Sequence, residues 1–276
     1  MRKGKVFYLK VLFYIPVFVV LMCVFAQARL IRGVKGRGEA AVVGITPEES
    51  QQLALQRARA DAIEQAAGIK ILGATLVRSS MLAGDFIKTY VRGFIVCEKI
   101  KWFPLEQFQP DANSPPIPMY RVEIIADVEV PDSPPPVNFN VRATLNKHIF
   151  APGEKAMLKI SASKNAYIAV FNIRADDKIV MLYPDIYLPL HKLHAGEEFC
   201  FPPVNSGLNL EMTLLSGRKR VTEAFLIAAI PAEKKSMHFN KYFQSEKLYS
   251  VPEFFRIYST IADRVAETII PYVVEK

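Results

Sequence analysis

The chain has 276 residues, 51% of them hydrophobic, which is material for the cores of one or two domains. Half of its formal charge of +8 comes from Arg2, Lys3, Lys5 and Lys10, and the longest basic block elsewhere is Arg218-Lys219-Arg220. A nucleic-acid partner is therefore not implied; the tripeptide follows Ser216-Gly217 and reads as a solvated hairpin turn.

Residues 1–28 have the layout of a secretory signal peptide: four cations and no acid up to Lys10, an apolar run over 11–25, then Ala26-Gln27-Ala28. The run is shorter than the roughly 20 residues a membrane-spanning helix needs. Cleavage after Ala28 is favoured over a retained anchor, though both stay open. Cys23 follows the bulky Met22, which suits a lipoprotein peptidase poorly. Export to a bacterial periplasm or to the outer membrane is the expectation. An oxidising envelope would permit Cys97 and Cys200 to pair; burial of each in its own core is the alternative.

The first module is expected over 33–130. Residues 39–44 read as a strand, preceded by a flexible Gly-rich lead. Thr46-Pro47-Glu48-Glu49 is a capping box with proline at the first helical position, and Gly68 supplies a left-handed stop. Between them Ala54, Ala58, Ala62 and Ala66 recur every fourth residue, a face that lets a helix pack close to a sheet. Residues 69–76 are apolar and β-branched, and 81–87 are ambiguous. Residues 90–103 and 119–130 read as longer strands around a Pro-rich loop at 110–118, with Tyr120, Val122 and Ile124 alternating with Arg121 and Glu123. Four prolines in residues 131–136 then make an extended linker.

The second module is expected over 137–276. Residues 138–145 and 155–161 flank the turn Pro152-Gly153-Glu154, and 166–173 and 178–183 flank the hairpin tip Arg174-Ala175-Asp176-Asp177. Residues 198–201, 208–214 and 223–229 continue the spacing of a β-sandwich. Ser250-Val251-Pro252-Glu253 opens a helix expected to reach residue 268, with Phe254, Ile257, Ile261 and Val265 as its stripe, before a closing strand at 269–274. The fold class is α+β: a sheet with one long Ala-rich helix, then a β-sandwich with a C-terminal helix.

Both modules resemble bacterial families. "GEAAVVGITPEESQQLALQRARADAIEQAAGIKI", "VRGFIVCEKI" and "YRVEIIADVEV" resemble the N-terminal domain of flagellar assembly protein T. That resemblance implies a strand, an Ala-rich helix and a β-meander. The further domains behind that protein's ring role are not recognisable here, so a motor function does not carry over. "FAPGEKAMLKISASKNAYIAVFNIRADDKIVMLYPD" and "LHAGEEFCFPP" resemble an uncharacterised bacterial β-sandwich family, a domain of unknown function found behind kinases, caspase-like peptidases and envelope proteins. It implies no activity.

No chemistry emerges from the motifs. Gly36-Arg37-Gly38-Glu39-Ala40-Ala41 fits G-x-G-x-x-A but lacks the strand-turn-helix context of a dinucleotide site. His191 and His194 near Glu197 and Glu198 lack the further ligands that zinc requires and read as solvated loop residues. Asp176-Asp177 has no cation-loop continuation and reads as a turn. The sequence points to no catalytic, cofactor-binding or metal-ligating residue. Phe239, Tyr242, Phe243, Tyr249, Phe254, Phe255 and Tyr258 crowd one stretch with Lys235, Lys241 and Lys247. They read as packing for the C-terminal helix, with a partner surface as the alternative. The expected role is a non-catalytic envelope adaptor acting through a protein partner. The alternative is a binder of cell-wall glycan or small polar molecules through loops such as 183–194. Membrane contact is expected only through an uncleaved leader.

Overall fold

The structure, a computed structural model, describes residues 29–68, 93–109, 111, 113–131, 138–232 and 238–276. The leader, the stretches 69–76 and 81–87 and most of the Pro-rich linker lie outside the described residues.

The first module is an antiparallel sheet with one helix across it. Its elements are β1 (Arg29–Ala41), α1 (Pro47–Ala67), β2 (Phe94–Trp102), β3 (Glu106–Phe108) and β4 (Ile117–Val130), in the order β1-β4-β2 with β3 also on β4. The start of α1 is fixed reciprocally: Glu49 N–H donates to Thr46 Oγ1 (3.2 Å) and Thr46 N–H to Glu49 Oε2 (2.9 Å). Gly68 ends it at φ 67°, its N–H bonded to Glu64 O. Ala54, Ala58 and Ala62 are completely buried, and the reason lies opposite them. A Cβ on Gly36 would fall 2.0 Å from Ala58 O, and one on Gly38 2.0 Å from Ala54 O. Helix and strand backbones touch there.

This corrects the expected Gly-rich lead. Residues 36–41 are strand, which begins well before residue 39 and stops at Ala41. The glycines leave room for α1, a close backbone approach that glycine in a strand often marks.

The second module contains β5 (Val141–Leu145), β6 (Ile149–Phe150), β7 (Lys155–Ala156), β8 (Leu158–Ala162), β9 (Ala166–Ile173), β10 (Lys178–Tyr183), β11 (Lys192–Leu193), β12 (Glu198–Phe201), β13 (Leu210–Glu211), β14 (Arg220–Pro231), β15 (Tyr249–Ser250), α2 (Val251–Tyr258) and β16 (Ala266–Glu275). A seven-stranded sheet runs β15-β10-β9-β14-β16-β6 with β11 on β9, and a three-stranded sheet runs β12-β8-β5. Ile168, Val170, Phe225, Ile227 and Val274 meet Val141, Leu158 and Ile160 between the two sheets. The expected sandwich is thus present.

The other face of the large sheet is buried as well. Ala169, Phe171, Met181, Leu226 and Ala228 pack against Phe239, Phe243 and Phe254, and that core continues without a break into Ala54, Ile63, Phe94, Val122 and Val128 of the first module. Burial on both faces explains why β14 reads as a near-continuous apolar run.

The helix expected to reach residue 268 stops at Tyr258, and a 3-10 turn at Ala262–Arg264 leads into β16. Hydroxyls of Ser259 and Thr260 bond the carbonyls of Arg256 (3.3 Å) and Ile257 (2.7 Å), loosening the helix end. The β-branched residues that follow pair along β14 from Ala266↔Ala229 to Glu275↔Arg220. Residues 208–214 give only the short β13.

Candidate functional site

The buried polar groups gather where the two modules meet. Arg59 sits on α1 between Leu55 and Ile63, in the stripe that faces inward, and its side chain is completely buried. Its guanidinium grips two carboxylates. Nε and Nη2 donate to Glu98 of β2 (3.0 and 2.6 Å), while Nη1 and Nη2 donate to Asp177 (2.6 and 2.7 Å). Such forked, charge-assisted contacts need the planar geometry of arginine and are unavailable to lysine.

Asp177 comes from the other module, at the tip of the β9–β10 hairpin, with φ 63°. Asp tolerates that left-handed conformation better than most residues. Gln52 Nε2 reaches the same carboxylate at 3.4 Å, and Ser259 Oγ adds a bond to Glu129 at 2.8 Å. Around these lie rings: Phe94 stacks on Phe255 (5.7 Å) and meets Tyr258 edge-on (6.0 Å).

A second polar group lies beneath the hairpin. The carboxylate of Glu223, itself buried, accepts from Tyr272 Oη (2.7 Å), Asn172 Nδ2 (2.9 Å) and Ala175 N–H (3.2 Å). Burial, then the nearby Glu223 charge, holds the Tyr272 phenol well above its ordinary range. Tyr258 is raised in the same direction, first by burial and then by Glu267, to which its hydroxyl donates. Both phenols therefore act as neutral donors that fix a carboxylate. A cavity of about 30 Å³ opens beside this group, lined by Gln52, Gln56, Arg174, Asp177 and Glu223. That is space for a water, far below the roughly 300 Å³ of a small ligand pocket.

The residues weighed in the sequence are placed elsewhere. His191 and His194 are exposed: the N–H of His194 donates to Glu197 Oε2 (2.8 Å), and His191 Nε2 lies 4.0 Å from Glu197 Oε1. Among the described residues, no three His, Cys, Asp or Glu side chains are grouped to hold a metal. Cys97 and Cys200 are both free thiols, the first exposed and the second half-buried, so neither occupies a core. Asp176 pairs with Arg174 across the turn (3.0 Å). The ring-rich stretch packs inward as expected: Phe239, Phe243, Tyr249, Phe254, Phe255 and Tyr258 are all buried. Among the described residues, no helix is long and apolar enough to cross a membrane.

Sequence reasoning missed Arg59 and its two acids. The visible signal was a cation on the buried stripe of α1, four residues from both Leu55 and Ile63. Nothing local pointed to Glu98 or Asp177.

No curated protein sequence matches the chain. Residues 149–225 match the model of a domain of unknown function (DUF4384), which runs from β6 into β14 and agrees with the resemblance drawn from residues 139–203.

Proposed function

We propose that the chain is an exported, non-catalytic cell-envelope protein that acts as an adaptor through protein–protein contacts. The observation that carries this reading is the Arg59–Glu98–Asp177 junction. The polar groups buried between the modules are spent on holding them together, and the adjoining cavity is too small for a substrate. The basic, apolar and small-residue pattern of residues 1–28 supports export to the periplasm or the outer membrane, and the resemblance of residues 38–130 supports a flagellar-assembly-T-like fold for the first module. A rigid two-part body of this kind offers fixed surfaces to neighbours. Cross-linking in native envelopes followed by purification tests it: a stoichiometric protein partner is expected, and a turnover abolished by a single substitution would sink it.

A glycan or small polar ligand is the second reading, favoured by one loop. Ile186 and Tyr187 are 73% and 68% exposed, and Tyr187 offers a ring face for a sugar. Retention on purified peptidoglycan, lost in Tyr187→Ala, would move the conclusion to this reading.

A further inference from the structure

The two edges of the first module's sheet are finished differently. On β1, α1 closes the edge with side chains: Arg37 N–H donates to Asp61 Oδ2 (2.8 Å), Glu39 O accepts from Arg57 Nη1 (2.6 Å), and Ala40 O accepts from Ser50 Oγ (2.9 Å). On β2 nothing comparable is present among the described residues. Phe103 N–H bonds back to Arg121 O of β4, so by the two-residue alternation of an antiparallel pair the N–H and C=O of Ile100 and Trp102 point away from β4. Among the described residues no hydrogen bond from outside the sheet reaches them.

The side chains along this edge are also exposed. Ile100 and Trp102 lie in register with Ile124 and Val122, which are completely buried, yet they are 42% and 37% exposed because α1 covers β1 and β4 but not this half of β2. On the opposite face Lys99 and Lys101 are exposed and make no ion pair among the described residues; Lys101 Nζ lies 5.3 Å from the Phe103 ring. Lysines on an edge can serve to repel other strands. An edge built only for repulsion would not leave an isoleucine and a tryptophan bare on its other face.

We propose that residues 98–102 of β2 accept an extended segment of a partner protein in which acidic and apolar residues alternate. This rests on the adaptor reading and names the chemistry of its partner. The incoming strand takes its main-chain hydrogen bonds from Ile100 and Trp102. Its apolar side chains lie beside theirs, and its acids lie over Lys99 and Lys101 on the other face.

The test uses the full chain and a short fluorescent peptide alternating glutamate with valine. Controls are a peptide of the same composition with its acids and valines in two blocks, and one N-methylated at alternate residues. The alternating peptide is expected to bind better than both. Ile100→Pro removes a donor that has no partner among the described residues, as edge strands tolerate. It should weaken the peptide about tenfold, the scale of one or two lost hydrogen bonds, with an unchanged melting curve. Lys99→Glu with Lys101→Glu should exchange the preference for a peptide alternating lysine with valine. No binding by the unaltered chain, or binding indifferent to both variants and to N-methylation, overturns the proposal. A native partner whose binding survives Ile100→Pro overturns it too while the adaptor reading stands. Peptide binding without any native protein partner supports the edge and removes the adaptor reading.

Discussion

Where α1 rests on β1, two backbones touch with only alanine and glycine between them; where α2 rests on β9 and β10, rings fill the gap. Phe171 meets Phe254 and Phe243 at 5.1 Å each, and Phe254 stacks on Tyr258 at 5.4 Å. The first joint has no atom to spare and fails by addition. The second is made of bulk and fails by removal. Between them Arg59 adds a third kind of joint, in which charge is buried only because it is shared.

Substitutions can break each joint in its own way. Arg59→Met strands the Glu98 carboxylate, and loss of one partner of a buried pair should cost about 3 to 5 kcal/mol in urea unfolding. Restoring neutrality with Glu98→Gln and Asp177→Asn in the same chain should recover much of that loss, which a purely steric role for Arg59 would not allow. Phe254→Ala should cost a similar ~3 to 5 kcal/mol by emptying the aromatic joint. Gly38→Ala, one added methyl group, should cost ~1 to 3 kcal/mol by forcing α1 off the strand. If it proves neutral, the close approach is looser than its distances imply. Thr46→Ala should cost about 1 kcal/mol through the lost cap alone.

The smallest expected effect is one of pH. Burial raises the Glu267 carboxyl, opposed by the hydrogen bond that Tyr258 donates. A carboxyl raised in the folded state contributes stability that is full below its unfolded pKa and is lost as pH rises through the folded one. Stability should therefore slope downward just above the usual glutamate range. In Glu267→Gln that slope should flatten.

The legible parts of the fold were the local ones. Thr46, Glu49 and Gly68 marked α1 within a few residues of chain, and Gly153 and Asp177 sit in turns that the sequence announced. Residues 36–41 look like slack chain because glycine has no local pattern, yet their glycines answer a contact with a helix further along the chain. The end of α2 misled because Phe254, Ile257, Ile261 and Val265 keep helical spacing while pairing with β14 governs the conformation from residue 266. Arg59 and Asp177 are 118 positions apart, so no window along the chain could join them. The edge position of β2 among the described strands was equally hidden: strand order decides which strand lies outermost, and order is not written in periodicity.

One feature of the topology bears on how the molecule assembles. The strand β16 slots between β14 and β6, and His148 Nδ1 meets Pro271 O at 2.9 Å across 123 positions. Closing so long a loop is slow beside zipping a hairpin. The β9–β10 hairpin and the β14–β16 pair, which close over far shorter loops, will form first, and the outer side of β16 then waits for β6. Anything that delays arrival of β6 prolongs that wait and offers the edge of β16 to a second molecule, so clumping during refolding should depend on this late closure more than on any surface of the finished protein.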